Sequence, residues 1–108
     1  MNNSLAGIRV LLADDHAMVR LGFRLLLEGA GACVVAEANQ GEAAIRLYAE
    51  HQPDVLVMDV SMPGIGGLAA LERLLAWAPK AQVMMLSAHC DDVVPVRALK
   101  LGAGGYLC

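Results

Sequence analysis

Apolar residues along the chain fall into two alternating patterns. Ile8-Arg9-Val10-Leu11-Leu12-Ala13 is a short β-branched-rich run that stops at Asp14-Asp15, as a strand buried on both faces would. Over residues 17–28 the spacing changes. Val19, Phe23, Leu26 and Leu27 recur at intervals of three and four, and Gly29 and Gly31 close the segment, which predicts a helix. The alternation then repeats, with strands predicted over residues 33–38, 55–59, 82–87 and 105–107 and helices over 42–51, 67–78 and 92–101. Breakers fall between them at Gly41, Pro53, Pro63-Gly64, Pro79 and Gly102. Strands and helices in strict alternation predict an α/β domain with a doubly wound, five-stranded parallel sheet. Helices then cover both faces, the first on one side and the next three on the other.

Composition narrows the class. With 57% apolar residues in 108, the chain has enough hydrophobic surface for one compact domain and too much for disorder. No apolar run approaches the ~18–20 residues needed to span a bilayer. The N-terminus, Met1-Asn2-Asn3-Ser4-Leu5-Ala6-Gly7, has no positive segment of the kind that opens a secretory signal, so a soluble cytoplasmic protein is expected. The net charge of −3, without a Lys/Arg cluster, argues against this segment gripping a nucleic-acid backbone by itself. Cys33, Cys90 and Cys108 have no metal-ligand spacing, which fits a reduced setting without structural zinc. Cys33 beside Val34-Val35 reads as a small core residue, and Met62, Met84, Met85 and Trp77 as packing residues. His16 reads as a polar helix-start residue and His51 as a residue near a helix C-terminus, neither with an assigned role.

The remaining polar residues cluster by position. In open α/β sheets, functional groups collect beyond the carboxyl ends of the strands. Asp14 and Asp15 end the first strand, Asp59 the third and Ser87 the fourth. Taken one at a time, Asp15 could cap a helix and Ser87 a turn. Asp59 has no such reading: it is a charge appended to Val55-Leu56-Val57-Met58 and brought against two other acids. Carboxylates so crowded repel one another and raise each other's pKa unless a cation compensates. All-oxygen ligation suits Mg²⁺ better than zinc. A divalent ion beside a solitary aspartate suits phosphoryl transfer to a carboxylate, with Ser87 placed to donate to a phosphoryl oxygen.

These residues resemble a known family. Asp14-Asp15-His16, Asp59-Val60-Ser61-Met62-Pro63-Gly64, Ser87-Ala88 and Gly105-Tyr106-Leu107 look like a response-regulator receiver domain. The fold is then flavodoxin-like, in its CheY-like form. Asp-Asp-His and Met-Pro-Gly-x-Gly-Gly-Leu look like the NarL/FixJ-type subfamily, whose receivers precede a helix-turn-helix DNA-binding domain. The resemblance implies that Asp59 is the phosphoacceptor, supplied by a sensor histidine kinase or phosphotransfer protein. It implies that Asp14, Asp15, Asp59 and the Ser61 backbone carbonyl hold Mg²⁺, that Ser87 is the switch hydroxyl and that Tyr106 is the switch aromatic. The Ser61 side chain and His89 stand where the family's residues flank the phosphoryl site, although His89 also reads as a solvated loop histidine; Val19, Gly22 and Phe23 on the first helix read in part as a kinase-docking patch and in part as core. Such a protein is a two-state signalling switch, not a metabolic enzyme, and meets DNA only through an output domain outside these 108 residues.

One position departs from the pattern. The family carries a lysine just after the fifth strand, followed by a closing helix; the sequence given ends at Cys108, and neither Lys80 nor Lys100 matches. Residues 1–108 therefore read as one receiver domain cut short at its C-terminus, with self-association expected through the sheet face that the closing helix would cover or through the exposed edge of the last strand. Two alternatives stand beside this reading. A pseudo-receiver would keep the fold and bind partners without phosphorylation. A dehalogenase-like aspartyl-phosphate phosphotransferase would carry a second aspartate two residues after the nucleophile, where this chain has Ser61.

Overall fold

The computed structural model describes residues 4–87 and 104–107. In chain order they form β1 (Arg9–Ala13), α1 (Ala17–Gly29), β2 (Cys33–Ala38), α2 (Gly41–His51), β3 (Val55–Asp59), α3 (Gly66–Trp77), β4 (Val83–Leu86) and β5 (Gly105–Leu107). The helix expected over residues 92–101 lies outside the described residues, as do His89, Cys90 and Cys108. Neighbouring strands are all parallel, in the order β2-β1-β3-β4-β5. The chain thus leaves β1 toward one edge and returns across it to β3, so the order reverses between β1 and β3. A crevice opens at such a reversal, beyond the carboxyl ends of the two strands.

The continuous apolar runs follow from burial on both faces. Leu11, Leu56, Met58, Val83 and Met85 pack with Ala43 and Ala44 of α2 and Ala70, Leu71 and Leu74 of α3. Their neighbours Val10, Leu12, Val57 and Leu86 point the other way, with Val34, against Phe23 and Leu27 of α1. Side chains alternate along a strand, so each apolar pair feeds both cores. α1 covers its face thinly. None of its residues is fully buried, and Met18, Leu21, Leu25 and Leu26 are exposed. Its three-and-four stripe is therefore split: Phe23 and Leu27 reach the sheet, while Val19 and Leu26 face outward.

Three packing expectations are corrected. Cys33 is exposed, not core. It opens the edge strand β2, and because Val34 points into the α1 side, Cys33 points to the other face at the margin of the sheet. Met84 is exposed because its neighbours Val83 and Met85 occupy the α2–α3 side. Trp77, in the last turn of α3, is half-exposed and meets Tyr48 of α2 edge to face at 6.0 Å. Met62 and Met85 are buried as expected. Among the described residues no helix is long and apolar enough to cross a membrane.

Candidate functional site

The first acidic loop is built by continuing the sheet one residue past β1. The Asp14 N–H donates to the Ala38 carbonyl at 3.0 Å, which holds Asp14 in line with β1 and buries it. Asp14 Oδ1 accepts the His16 backbone N–H at 2.8 Å, and His16 Nδ1 lies 3.2 Å from the same oxygen. His16 Nδ1 is also 3.1 Å from Asp15 Oδ1, so one imidazole nitrogen sits between two carboxylates. Asp15 does not cap α1: the N-cap position is His16, and no side chain caps it. The loop is anchored from behind by Arg20, whose guanidinium donates to the Asp14 carbonyl at 2.6 Å and to Glu37 at 3.1 Å. Arg24 donates to the other Glu37 oxygen at 2.7 Å, so a β2 carboxylate bridges two α1 arginines.

The second loop carries Asp59, the last residue of β3, which is buried although ionisable. Its Oδ1 accepts the Ser61 N–H at 3.2 Å. The Val60 N–H donates to the Leu86 carbonyl, and the Gly67 N–H to the Val60 carbonyl, so strand pairing and the start of α3 close around Asp59. A Cβ on Gly67 would fall on the Asp59 carbonyl, which is why this helix start needs glycine. Glu42 of α2 accepts the Ile65 N–H at 2.9 Å and fills the space beside Gly64, whose φ of +82° no β-branched residue would adopt readily. The Asp59 loop is thus held by the next helix layer.

The two loops meet. Ligand atoms of Asp14, Asp15, His16 and Asp59 all lie within 4.8 Å of one another. Burial is the largest cause that raises the Asp59 pKa; Asp14 and Asp15 raise it further, against the Ser61 N–H and His16, which lower it. A divalent ion with ligands at ~2.0–2.2 Å has adjacent ligands ~3 Å and opposite ones ~4.2 Å apart. The donor atoms spread over up to 4.8 Å, slightly wider than that, so a small shift would close them on such an ion, and three carboxylates at one point suit a cation.

Of the other expected residues, Ser87 follows Leu86, which pairs in register with Asp59, so it lies on the same rim. Tyr106 is placed by its backbone in β5, in register with Met85. Sequence reasoning read His16 as a polar helix-start residue, which its N-cap position bears out, and gave it no part in the acid pocket. It also passed over Arg20, Glu37 and Glu42, whose partners lie on other elements.

The chain is similar to known proteins over most of its length. The pattern of the response regulator receiver domain matches residues 10–108. Response regulator UvrY of Escherichia coli K12 is 43% identical over 101 residues, which are 93% of this chain and 46% of UvrY; the chain spans about half the length of the curated relatives it matches. The receiver domain of the response regulator NarL from Mycobacterium tuberculosis superposes with a TM-score of 0.89 at 34% identity, covering 94% of this chain and 83% of that one. A CheX–CheY complex from Borrelia burgdorferi shares the fold, with a TM-score of 0.91 at 24% identity over 94% of this chain and 78% of that one. With the acid pocket at the expected switch point and the family pattern running through both loops, this chain belongs to the response-regulator receiver domains.

Proposed function

We propose that this chain is the phosphoacceptor receiver of a two-component phosphorelay, charged on Asp59 by a histidine of a sensor kinase or phosphotransfer protein. The observation that carries the reading is the convergence of buried Asp59 with Asp14 and Asp15 at the rim where strand order reverses. In the transfer, a carboxylate oxygen of Asp59 attacks the phosphorus in line. The P–O bond forms as the P–N bond breaks, and the electron pair stays with the departing imidazole. Asp14, Asp15, Asp59 and the Ser61 carbonyl would hold Mg²⁺, which when bound neutralises charge on the phosphoryl oxygens. The Ser61 N–H, already on Asp59 Oδ1, keeps the carboxylate oriented. Ser87 is the hydroxyl that would donate to a phosphoryl oxygen, and Tyr106 the aromatic that would follow it as the switch.

The output is transcription regulation through a DNA-binding domain, an assignment supported by the identity to UvrY and to the NarL receiver. The cytoplasm is the expected setting. Met84, exposed on the α1 side of the sheet, and the edge strand β5 support self-association through that sheet face or that edge. Size exclusion with light scattering at micromolar concentration should then give a mass above the monomer; a monomer that binds no apolar dye would contradict it. The phosphoacceptor reading is tested by incubation with a small phosphodonor and Mg²⁺, followed by intact mass. Wild type should gain one phosphoryl group and Asp59→Asn none. No gain in wild type would favour a pseudo-receiver, and gain in Asp59→Asn would place the acceptor elsewhere.

A further inference from the structure

The peptide unit that joins Asp14 to Asp15 carries the Asp14 carbonyl, and Arg20 Nη1 donates to that oxygen at 2.6 Å. On its other side, Asp14 donates its own N–H to Ala38 at 3.0 Å. The backbone is thus fixed before and after the Asp14 Cα, and the direction in which each acid leaves the chain follows from it. Arg20 is itself oriented. Its Nε donates to Glu37 Oε1 at 3.1 Å, while Arg24 holds Oε2 of the same carboxylate at 2.7 Å. One planar guanidinium therefore uses two separate N–H groups, one on the pocket's backbone and one on β2, a geometry that the single ammonium of lysine does not copy. Because Glu37 balances its charge, what Arg20 delivers to the pocket is chiefly orientation. Its side chain is only 21% exposed, against 43% for Arg24. Arg24 bonds Glu37 and Glu28 and, among the described residues, makes no bond to the Asp14 loop.

We propose that Arg20 is a positioning residue of the acid pocket: by fixing the Asp14–Asp15 peptide it holds these two carboxylates where, with Asp59, they take Mg²⁺. The three acids converge within 4.8 Å and repel one another, so a free backbone would let the more exposed Asp15 turn toward water. A charge-assisted bond to the carbonyl between the two acids opposes that turn before any cation arrives. Groups that orient metal ligands without touching the metal typically govern affinity by tenfold to about a hundredfold. The competing account is that Arg20 merely ties α1 to β2, as Arg24 does through the same Glu37. The two arginines therefore make a matched pair. They share a helix and a carboxylate, and only Arg20 reaches Asp14.

This inference rests on the acid pocket being a cation site, and the experiment separates the two. The whole chain is titrated calorimetrically with MgCl₂ as wild type, Arg20→Met, Arg20→Lys and Arg24→Met. The temperature is one at which denaturant titration shows every variant folded, so that lost stability does not imitate lost affinity. Arg20→Met should raise the Mg²⁺ Kd by about tenfold or more, Arg20→Lys by about threefold or more, and Arg24→Met by less than about twofold. Should Arg20→Met fail to fold, Arg20→Lys against Arg24→Lys carries the same comparison. Acetyl phosphate, a donor too small to need a docking surface, supplies a second readout. In Arg20→Met the Mg²⁺ concentration for half-maximal phosphorylation should rise by the same factor, while the rate at saturating Mg²⁺ stays within about threefold of wild type. An unchanged Kd in the Arg20 variants, or equal shifts for Arg20 and Arg24, would overturn Arg20 as a positioning residue and leave the pocket intact. Wild type that binds no Mg²⁺ would overturn the cation site and this inference with it. Wild type that binds Mg²⁺ without being phosphorylated would remove only the phosphoacceptor reading, and the Kd comparison would still decide the role of Arg20.

Discussion

The body of the sheet and its carboxyl-end rim bury their side chains for opposite reasons. On the body, Leu71, Leu74, Met58 and Met85 are sealed between strands and the α2–α3 layer, and every one of them is apolar. On the rim, Asp14 and Asp59 are as well covered as many core residues, yet both are acids that face a third acid. The body gains by excluding water. The rim excludes water from charge, which costs stability and raises the Asp59 pKa. A fold keeps such a feature where charge is to be compensated by something that arrives, and the difference teaches that the rim, not the core, is where this sequence is specialised.

The largest expected effect tests the body. Leu71→Ala should destabilise the chain by about 2–5 kcal/mol in denaturant titration, whereas Leu25→Ala on the exposed side of α1 should cost no more than about 0.5 kcal/mol. Similar losses at both sites would mean that the α1 face is covered as thoroughly as the other, as a self-associated chain would cover it. Next comes the seam between body and rim. Gly67→Ala places a methyl group on the Asp59 carbonyl and should cost about 1–3 kcal/mol while weakening Mg²⁺ binding. Lost stability with unchanged Mg²⁺ affinity would show that α3 does not position Asp59.

How far the sequence revealed these two regions differs for a physical reason. The strands were legible because each apolar run stops at a polar residue or breaker, and the observed ends differ from the predicted ones by a residue or so, as at Gly41, which opens α2. The acids of the rim were legible because a charge after Val55-Leu56-Val57-Met58 has no local explanation. Exposure was less so. Cys33, Met84 and Trp77 are apolar but uncovered, because strand alternation and the sheet edge decide coverage and neither is written in composition. The supports of the rim were not legible at all. Arg20 with Glu37 and Glu42 with Ile65 are 17 and 23 residues apart, and only the folded topology brings them together.

A smaller effect concerns pH. Because the folded-state pKa of Asp59 is raised, its protonated form stabilises the fold at low pH, and that contribution is lost as pH rises through the folded value. In chelator, Asp59→Asn should therefore be more stable than wild type at neutral pH, by about 0.5–2 kcal/mol, and the gap should close on acidification. A gap independent of pH would mean that the gain comes from packing and not from relief of charge.

The most direct test of the rim as a charged site awaiting a cation is the thermal melt of wild type and Asp59→Asn, each in chelator and in Mg²⁺ at matched ionic strength. In chelator the variant should melt higher. With Mg²⁺ at ten times Kd, wild type should gain about 1.4 kcal/mol and the variant much less, so that the difference shrinks or reverses. A variant that melts lower than wild type in chelator, or one that responds to Mg²⁺ as wild type does, would contradict it, the first by giving Asp59 a structural partner and the second by placing the ion elsewhere.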